Sequence, residues 1–468
     1  MKLRRLGLAH RWDIPHGHRF AIWQRVTPPQ MFVGSFALLI LSGTAGLQLL
    51  PGIYTAEPMT WLDALFTSTS AVCVTGLTVK DTAQIFTPFG QGWVLLLIQL
   101  GGLGMLTFAS LILVALGKRL SLRTEASAIV AAESVLHLEG RNMTLDIVRF
   151  TFLFESIGAI LLYALWVPEL GWKDAAWPAI FHSVSAFCNA GFSTFTDNLM
   201  GFQKSPASLM VIACLILAGG IGFLTHTEMW YALVSWKKKR AFRVSLQSRL
   251  VIFVTFLLTV AATPLFAVFE WNNCLTGLSP FDKVINSLFM TITPRTAGFN
   301  AIDYGKATDS ANLLTMMLMT VGGSPGSTAG GFKTTTLAIL GLMAWSRLRG
   351  SESTNCIGRS IPEETTSRAV GLFVIAIGFA ISGVFLLSAT EVATSRSLTE
   401  HMFEVSSAVN TVGLSMGLTP KLSVAGRWVI ILMMFLGRVG LLTLAALLTV
   451  PRSRAARFRY AYEDVVIG

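Results

Sequence analysis

The sequence predicts an all-α polytopic membrane protein: four parallel helix–re-entrant pore loop–helix repeats arranged around one pseudo-fourfold pore, with eight transmembrane spans. Three observations carry this. The chain of 468 residues is 53% hydrophobic and only 13% charged, with a mean hydropathy of +0.62, whereas a soluble chain carries about 25% charged residues. Its apolar residues fall in charge-free blocks such as 31–50 and 93–116, long enough as helices to cross a hydrocarbon core of ~30 Å. A short glycine-centred segment also recurs four times in register.

Long helices are expected at about 31–50, 93–117, 147–167, 206–235, 250–270, 312–346, 369–391 and 427–450. The net charge of +11 would suit a nucleic-acid binder, but its distribution argues otherwise. Basic residues gather in an N-terminal arm (Lys2, Arg4, Arg5, Arg11, Arg19, Arg25) and then at Lys118/Arg119/Arg123, Lys237–Arg240 with Arg243, Arg347/Arg349/Arg359 and Arg452/Arg454/Arg457/Arg459. Lys and Arg stay on the cytoplasmic side, so this is a positive-inside pattern that places both termini in the cytoplasm. The apolar run after the arm is span-length and lacks a small-residue cleavage site, so it reads as an uncleaved first span. The domains expected are a basic arm (1–30), four repeats (31–120, 121–236, 237–348 and 349–450) and a cytoplasmic tail (451–468). The five cysteines, Cys73, Cys188, Cys214, Cys274 and Cys356, form no disulfide or metal-ligand pattern.

Between the spans of each pair lies a shorter apolar stretch: Trp61–Val72, Trp177–Phe187, Phe281–Ile292 and Leu398–Ala408. A dozen helical residues cover only ~18 Å, too little to cross, so these read as re-entrant half-helices. Each is followed by a related segment: Cys73-Val-Thr-Gly-Leu-Thr78, Cys188-Asn-Ala-Gly-Phe-Ser193, Arg295-Thr-Ala-Gly-Phe-Asn300 and Asn410-Thr-Val-Gly-Leu-Ser415. Their glycines, Gly76, Gly191, Gly298 and Gly413, are 115, 107 and 115 residues apart. A second echo follows three of them: Gly101-Gly-Leu-Gly104, Gly219-Gly-Ile-Gly222 and Gly437-Arg-Val-Gly440. A single glycine would read as a turn or a close helix contact. Four in register mark an internal repeat. The GGxG pairs alone stay ambiguous between repeat signature and helix packing.

A cation filter replaces the ion's water shell with rings of backbone carbonyls. Glycine supplies the dihedrals this needs, and half-helices ending just before it would turn their negative dipole ends toward a cation. Asp81, Asp197 and Asp303 follow the glycine segments; they are placed either to concentrate cations or simply as solvated loop acids. These segments, with the Gly101–Phe108 and Gly437–Leu444 helices, resemble the Trk/Ktr/HKT superfamily of potassium transporters over essentially the whole chain, most closely its bacterial KtrB type. The chain lacks the extra leading hairpin typical of TrkH, and its closing Tyr462–Gly468 resembles KtrB termini. The resemblance implies a potassium-selective filter of Val74, Thr75, Gly76, Asn189, Ala190, Gly191, Thr296, Ala297, Gly298, Thr411, Val412 and Gly413, with potassium held at these residues. Glycine at position 76 suits the potassium-preferring branch, since sodium-favouring members often carry serine there. It also implies a bacterial plasma-membrane location, a homodimer in membrane lipid and a cytoplasmic KtrA-type nucleotide-binding ring. ATP or ADP would act only through that ring; sodium is a candidate activator, and no covalently bound cofactor is expected.

The third repeat departs from its siblings. Its second span contains Gly322, Gly323, Ser324, Pro325, Gly326, Ser327, Thr328, Ala329, Gly330 and Gly331, a composition that cannot sustain a regular helix. A break at this depth is expected where it lines a cavity, a packing kink being the plainer alternative. The resemblance makes it an intramembrane gate. Arg438 lies at the corresponding depth of the last span. It is expected to face the pore and contact the 322–331 loop, against the plainer reading of a snorkelling arginine. Lys333 is a weaker candidate for the same role, and Glu155 is an intramembrane charge to which the sequence assigns no partner. A coupled alternating-access symporter is the rival class, though inverted repeats are common there and these share one orientation. An enzyme fits poorly, because HExxH, GxSxG and paired carboxylates are missing from the spans.

Overall fold

The computed structural model describes residues 28–119, 140–237, 243–392 and 396–440. Most of the basic arm, the basic positions Arg123 and Lys238–Arg240, the last ten residues of the expected eighth span and the tail lie outside the described residues.

The described helices follow one order four times: long, short, long. Unit one comprises Pro28–Leu49, Trp61–Val72 and Pro88–Arg119. Unit two comprises Gly140–Leu170, Ala176–Phe187 and the pair Pro206–Ile221 and Phe223–Lys237. Unit three has Leu246–Glu270, Pro280–Ile292 and the pair Asp309–Thr320 and Thr334–Leu348. Unit four has Glu363–Thr390, Leu398–Val409 and Val424–Val439. A two-stranded antiparallel hairpin, Thr354–Cys356 with Arg359–Ile361, joins units three and four. Its two turn residues, Ile357 and Gly358, both have positive φ (49° and 70°), as a two-residue hairpin turn requires.

Three of the four short helices begin at side-chain caps, whereas Ala176–Phe187 follows Ala175, which makes no such bond. Thr60, Ser279 and Ser397 each accept the amide three residues on, and those third residues are the acids Asp63, Asp282 and Glu400. This capping arrangement satisfies orphan N–H groups and puts negative charge at the positive helix end.

Four leading helices are long and apolar enough to cross a membrane: Gln30–Leu49, Leu145–Leu170, Leu246–Glu270 and Glu363–Thr390. The pair Pro206–Ile221 and Phe223–Lys237 makes five if counted as one bent span. The expected continuous helix over 206–235 is therefore corrected, since the two pieces meet at 102°. The expected helix over 312–346 is likewise two helices with 321–333 between them, and the last one stops at Val439. Glycine makes two of these breaks: Gly222 and Gly440, the last residues of their GGxG echoes, have φ of 90° and 83°. Gly104, the matching residue of unit one, remains helical.

Large apolar side chains such as Leu38, Ile160, Phe256, Ile381 and Phe385 are exposed along the leading helices, which suits lipid as the surrounding solvent. Inside, one apolar cluster joins units one and four with Phe181, Cys188, Ala190 and Phe192 of unit two, and another joins units two and three with Phe403, Val412 and Leu414 of unit four. Arg427, on the return helix of unit four, donates to Asp63 on the short helix of unit one at 2.6 Å. Units one and four, remote in sequence, are thereby held side by side.

Candidate functional site

After each short helix the chain passes through Val74-Thr75-Gly76, Asn189-Ala190-Gly191, Thr296-Ala297-Gly298 or Thr411-Val412-Gly413, and all four take the same unusual path. The first residue of each triplet has positive φ (54°, 59°, 70° and 50°), and so does the glycine (99°, 71°, 79° and 97°). A left-handed Val or Thr is a strained choice that persists only where its surroundings impose it. Alternating left-handed and ordinary residues allows successive peptide planes to face one way, as a carbonyl-lined path requires.

The surroundings that impose it are polar. The amides of Thr75, Ala190 and Val412 bond to the carbonyls of Ser70, Ser185 and Ser407 at 2.8, 2.7 and 2.7 Å. The serine hydroxyls add further ties: Gly76 N–H donates to Ser70 Oγ and Gly413 N–H to Ser407 Oγ, both at 3.0 Å. Ser185 Oγ instead donates to the Phe192 carbonyl at 2.8 Å. In unit three, Thr293 takes over, donating to Phe299 O at 2.6 Å while its carbonyl accepts from Ala297 and Gly298.

The four glycines meet in a closed cycle. A Cβ placed on Gly76 would lie 2.5 Å from the Ala190 carbonyl oxygen, and one on Gly191 would lie 2.8 Å from that of Ala297. On Gly298 it would run into the Val412 carbonyl, and on Gly413 into that of Thr75. Unit one thus touches two, two touches three, three touches four, and four returns to one. Three threonine hydroxyls in these segments, Thr75, Thr296 and Thr411, are buried and find no hydrogen-bond partner among the described residues.

Directly against this cycle packs the 321–333 segment, closed by a parallel bridge between Val321 and Phe332. It fills the bend in unit two: Ser324 N–H donates to Gly220 O at 2.9 Å, Thr328 N–H to Gly219 O at 3.2 Å, and Phe223 N–H to Gly326 O at 3.0 Å. Thr328 Oγ1 reaches the Phe187 carbonyl at 3.1 Å and the Asn189 amide at 3.2 Å. Gly330 and Gly331 lie against Thr411 and Asn410 of unit four.

Three cations, the buried Arg295 and Arg438 and the half-buried Lys333, hold carbonyls of this segment. Arg438 donates through Nη1 to Thr328 O at 2.6 Å and through Nη2 to Gly101 O at 3.2 Å. Lys333 Nζ folds back on Ala329 O at 2.8 Å. Arg295 Nη2 lies 3.5 Å from Gly322 O and 3.2 Å from Thr255 Oγ1. Among the described residues none of the three is in an ion pair; carbonyl dipoles supply the compensation that burial of charge demands.

The structure therefore gathers the twelve triplet residues, the 322–331 loop, Lys333 and Arg438 into one assembly. Asp81, Asp197 and Asp303 stay outside it. Asp81 caps the short helix Thr82–Ile85, and Asp303 accepts from Gly305 N–H at 3.0 Å and faces Lys306 at 3.4 Å. Glu155 does have partners, Gln99 Nε2 at 3.2 Å and Cys188 Sγ at 3.9 Å. Arg295 was not singled out from the sequence, although its position, three before a triplet glycine, holds Cys73, Cys188 and Asn410 in the other units.

Residues 30–455 match the family TrkH, described as a cation transport protein. The chain is 37% identical to the potassium/sodium uptake protein NtpJ of Enterococcus hirae, over 95% of this chain and 98% of that protein. It is 38% identical to the Ktr system potassium uptake protein B of Bacillus subtilis, with the same shares covered. The crystal structure of the potassium transporter TrkH from Vibrio parahaemolyticus superposes with a TM-score of 0.69 at 21% identity, covering 91% of this chain and 86% of the other, a likeness of fold.

Proposed function

The chain belongs to the TrkH family of cation transport proteins, within its Ktr-like group, and from that premise we propose that it carries potassium into the cell through a gated pore at the centre of the four units. It is a membrane transporter of bacterial type rather than an enzyme. The observation that carries the reading is the closed cycle of glycine triplets, each with positive φ at the same two positions. Four equivalent strands of carbonyls around one axis are what replacing the hydration shell of a monovalent cation requires. The twelve triplet residues are the selectivity filter in this reading, and the four units are pore repeats related by a pseudo-fourfold axis with eight membrane passages. The breaks in the return helices are accommodated because they border the pore, where irregular backbone at membrane depth is tolerated.

The 322–331 loop is the gate. It lies across the path beneath the filter, and Arg438, Lys333 and Arg295 hold its carbonyls. Their positive charge in the path also opposes a potassium ion while the loop is closed. The basic residues, by the positive-inside rule, keep both termini cytoplasmic. The Ktr system naming of the relatives supports a regulatory partner, for which we assign a cytoplasmic KtrA-type nucleotide-binding ring acting on a homodimer of this chain. Sodium, named with potassium in the Enterococcus relative, is the candidate activator.

The test is rescue of growth at limiting potassium in cells stripped of their own uptake systems, with and without a KtrA-type partner and with and without sodium. Rescue that follows potassium and strengthens with the partner is expected. Failure to rescue by a chain that reaches the membrane, with or without the partner, overturns the proposal.

A further inference from the structure

The filter triplets are anchored from below by serines that recur, but the segments just beyond the glycines are held differently, and the difference alternates around the ring. His182 and Glu404 stand nine residues before their glycines, Gly191 and Gly413; Ser193 and Ser415 stand two after. Both His182 and Glu404 are fully buried in the short helices. His182 Nδ1 lies 2.8 Å from the Pro178 carbonyl. A carbonyl only accepts, so Nδ1 carries the hydrogen; with the ring neutral, Nε2 accepts from Ser193 Oγ at 2.9 Å. Ser193 Oγ in turn accepts from Phe195 N–H at 2.9 Å, and the Phe195 ring stacks on the imidazole with centroids 4.8 Å apart.

Unit four builds the same strut from other chemistry. Glu404 Oε2 accepts from Ser415 Oγ at 2.7 Å, and its other oxygen accepts from the Thr419 hydroxyl. Ser415 Oγ accepts from Gly417 N–H at 3.0 Å. In both units one hydroxyl donates to a buried side chain of the short helix and accepts from the backbone four residues after the glycine. Units one and three have Thr67 with Thr78 and Phe289 with Asn300 at these positions. There Thr67 donates to Met59 Sδ at 3.8 Å and Asn300 to the Ile302 carbonyl at 3.0 Å, while Phe289 has no polar side-chain atom. The cycle of glycine contacts runs one, two, three, four, so the two struts face each other across the ring.

We propose that His182 and Glu404 are positioning residues for ion selectivity: from opposite sides of the ring, each fixes the outer end of its filter segment through a serine hydroxyl. This rests on the reading of the glycine triplets as the filter. Rings of carbonyls discriminate between cations only while their spacing is held. Two opposed struts hold one diagonal, and units one and three are left to follow it through the glycine contacts.

The test compares Ser193→Ala, Ser415→Ala and the double variant with Ser193→Thr and Ser415→Thr, which keep the hydroxyl. The readout is potassium-over-sodium discrimination from reversal potentials in bilayers, with Gly76→Ser as a parallel arm and monodispersity as the check on folding. Each alanine variant is expected to lower discrimination by about three- to tenfold, the range of one lost hydrogen bond, and the threonine variants to retain it. Discrimination unchanged in folded alanine variants while Gly76→Ser loses it overturns the struts and leaves the filter standing. Unchanged discrimination in all of them, Gly76→Ser included, overturns the filter reading itself. Should Ser415→Ala not fold, Glu404→Gln, which keeps an acceptor, is set against Glu404→Leu. Better discrimination in the glutamine variant supports the strut, and equal values overturn it.

Discussion

Replacing Arg438 by alanine should open the pore, and the structure bounds by how much. The guanidinium makes one short bond to Thr328 O at 2.6 Å and one longer bond to Gly101 O at 3.2 Å. A hydrogen bond involving a charged group contributes about 1.5–3 kcal/mol net. Of these two bonds the one to Thr328 is the one that reaches the loop, and on opening that carbonyl regains water, so about 2 kcal/mol is the share Arg438 contributes to holding the loop shut. Removal of the charge lowers the barrier further, as part of the same change. At 1.4 kcal/mol per tenfold, the open-to-closed ratio should rise roughly thirtyfold. The assay is potassium flux into proteoliposomes containing the chain without a partner, against the wild type at equal reconstitution. Arg438→Lys should fall between the two, since it keeps the charge with a less suitable donor geometry. A folded Arg438→Ala protein with wild-type flux would refute both the clamp and the electrostatic reasoning.

Three further outcomes are expected. Gly76→Ser places a Cβ 2.5 Å from Ala190 O at a φ of 99°. The conformational penalty of about 1–2 kcal/mol and overpacking of about 1–3 kcal/mol should widen the ring and reduce potassium-over-sodium discrimination at least tenfold, measured by reversal potential; an unchanged ratio counts against the ring. Deleting Ser324–Ala329 removes the contacts to Gly219, Gly220 and Arg438, so flux without a partner should rise at least as far as in Arg438→Ala; wild-type flux from folded protein removes the gate. Membrane-impermeant thiol reagents should reach Cys356 only after permeabilisation and Cys274 from outside. The Cys274 thiol is pushed up to about 12, chiefly by its burial and then by neighbouring Glu270. Its thiolate fraction, and so its labelling rate, should climb about tenfold per pH unit through the alkaline range. Labelling of Cys356 in intact cells would invert the proposed orientation.

What was legible in the sequence follows from where the determinants lie. The short helices are bounded by local signals: a glycine segment after the last turn in all four and, in three of them, a Ser or Thr cap with an acid three residues on. Their ends accordingly fall within about a residue of the apolar stretches. The Arg438 contact was legible from depth alone, because an arginine that cannot reach either surface must find carbonyls within the protein. The bend at Gly222 and the helix end at Gly440 were not legible. Phe223-Leu-Thr continues an apolar run that any local rule reads as helix, and the bend is stabilised by Gly326 O, more than a hundred residues away. Glu155 was without a partner for the same reason, since Gln99 and Cys188 reach it from other helices. The 354–361 hairpin was too short to rise above its polar loop.

The GGxG echoes, ambiguous in the sequence between repeat signature and helix packing, turn out to combine both. A Cβ on Gly101, Gly219 or Gly437 would collide with the carbonyl of the last residue of its own unit's short helix: Val72, Phe187 or Val409. The first glycine therefore lets the return helix press against the negative end of the half-helix, fixing the base of the glycine triplet that follows it. At the second position a Cβ would meet side chains instead of that carbonyl, Cys188 Sγ at 2.8 Å from Gly102 and Asn189 Nδ2 at 3.7 Å from Gly220. In unit four this position carries Arg438, whose side chain reaches across to Thr328 and Gly101. The fourth position either stays helical, as Gly104 does, or takes positive φ and breaks the helix, as Gly222 and Gly440 do. One motif thus divides its tasks by position: the first glycine makes the same carbonyl contact in three units, while the second and fourth differ between them, and it is at those two that the Arg438 clamp on the 322–331 loop and the bend receiving that loop are found.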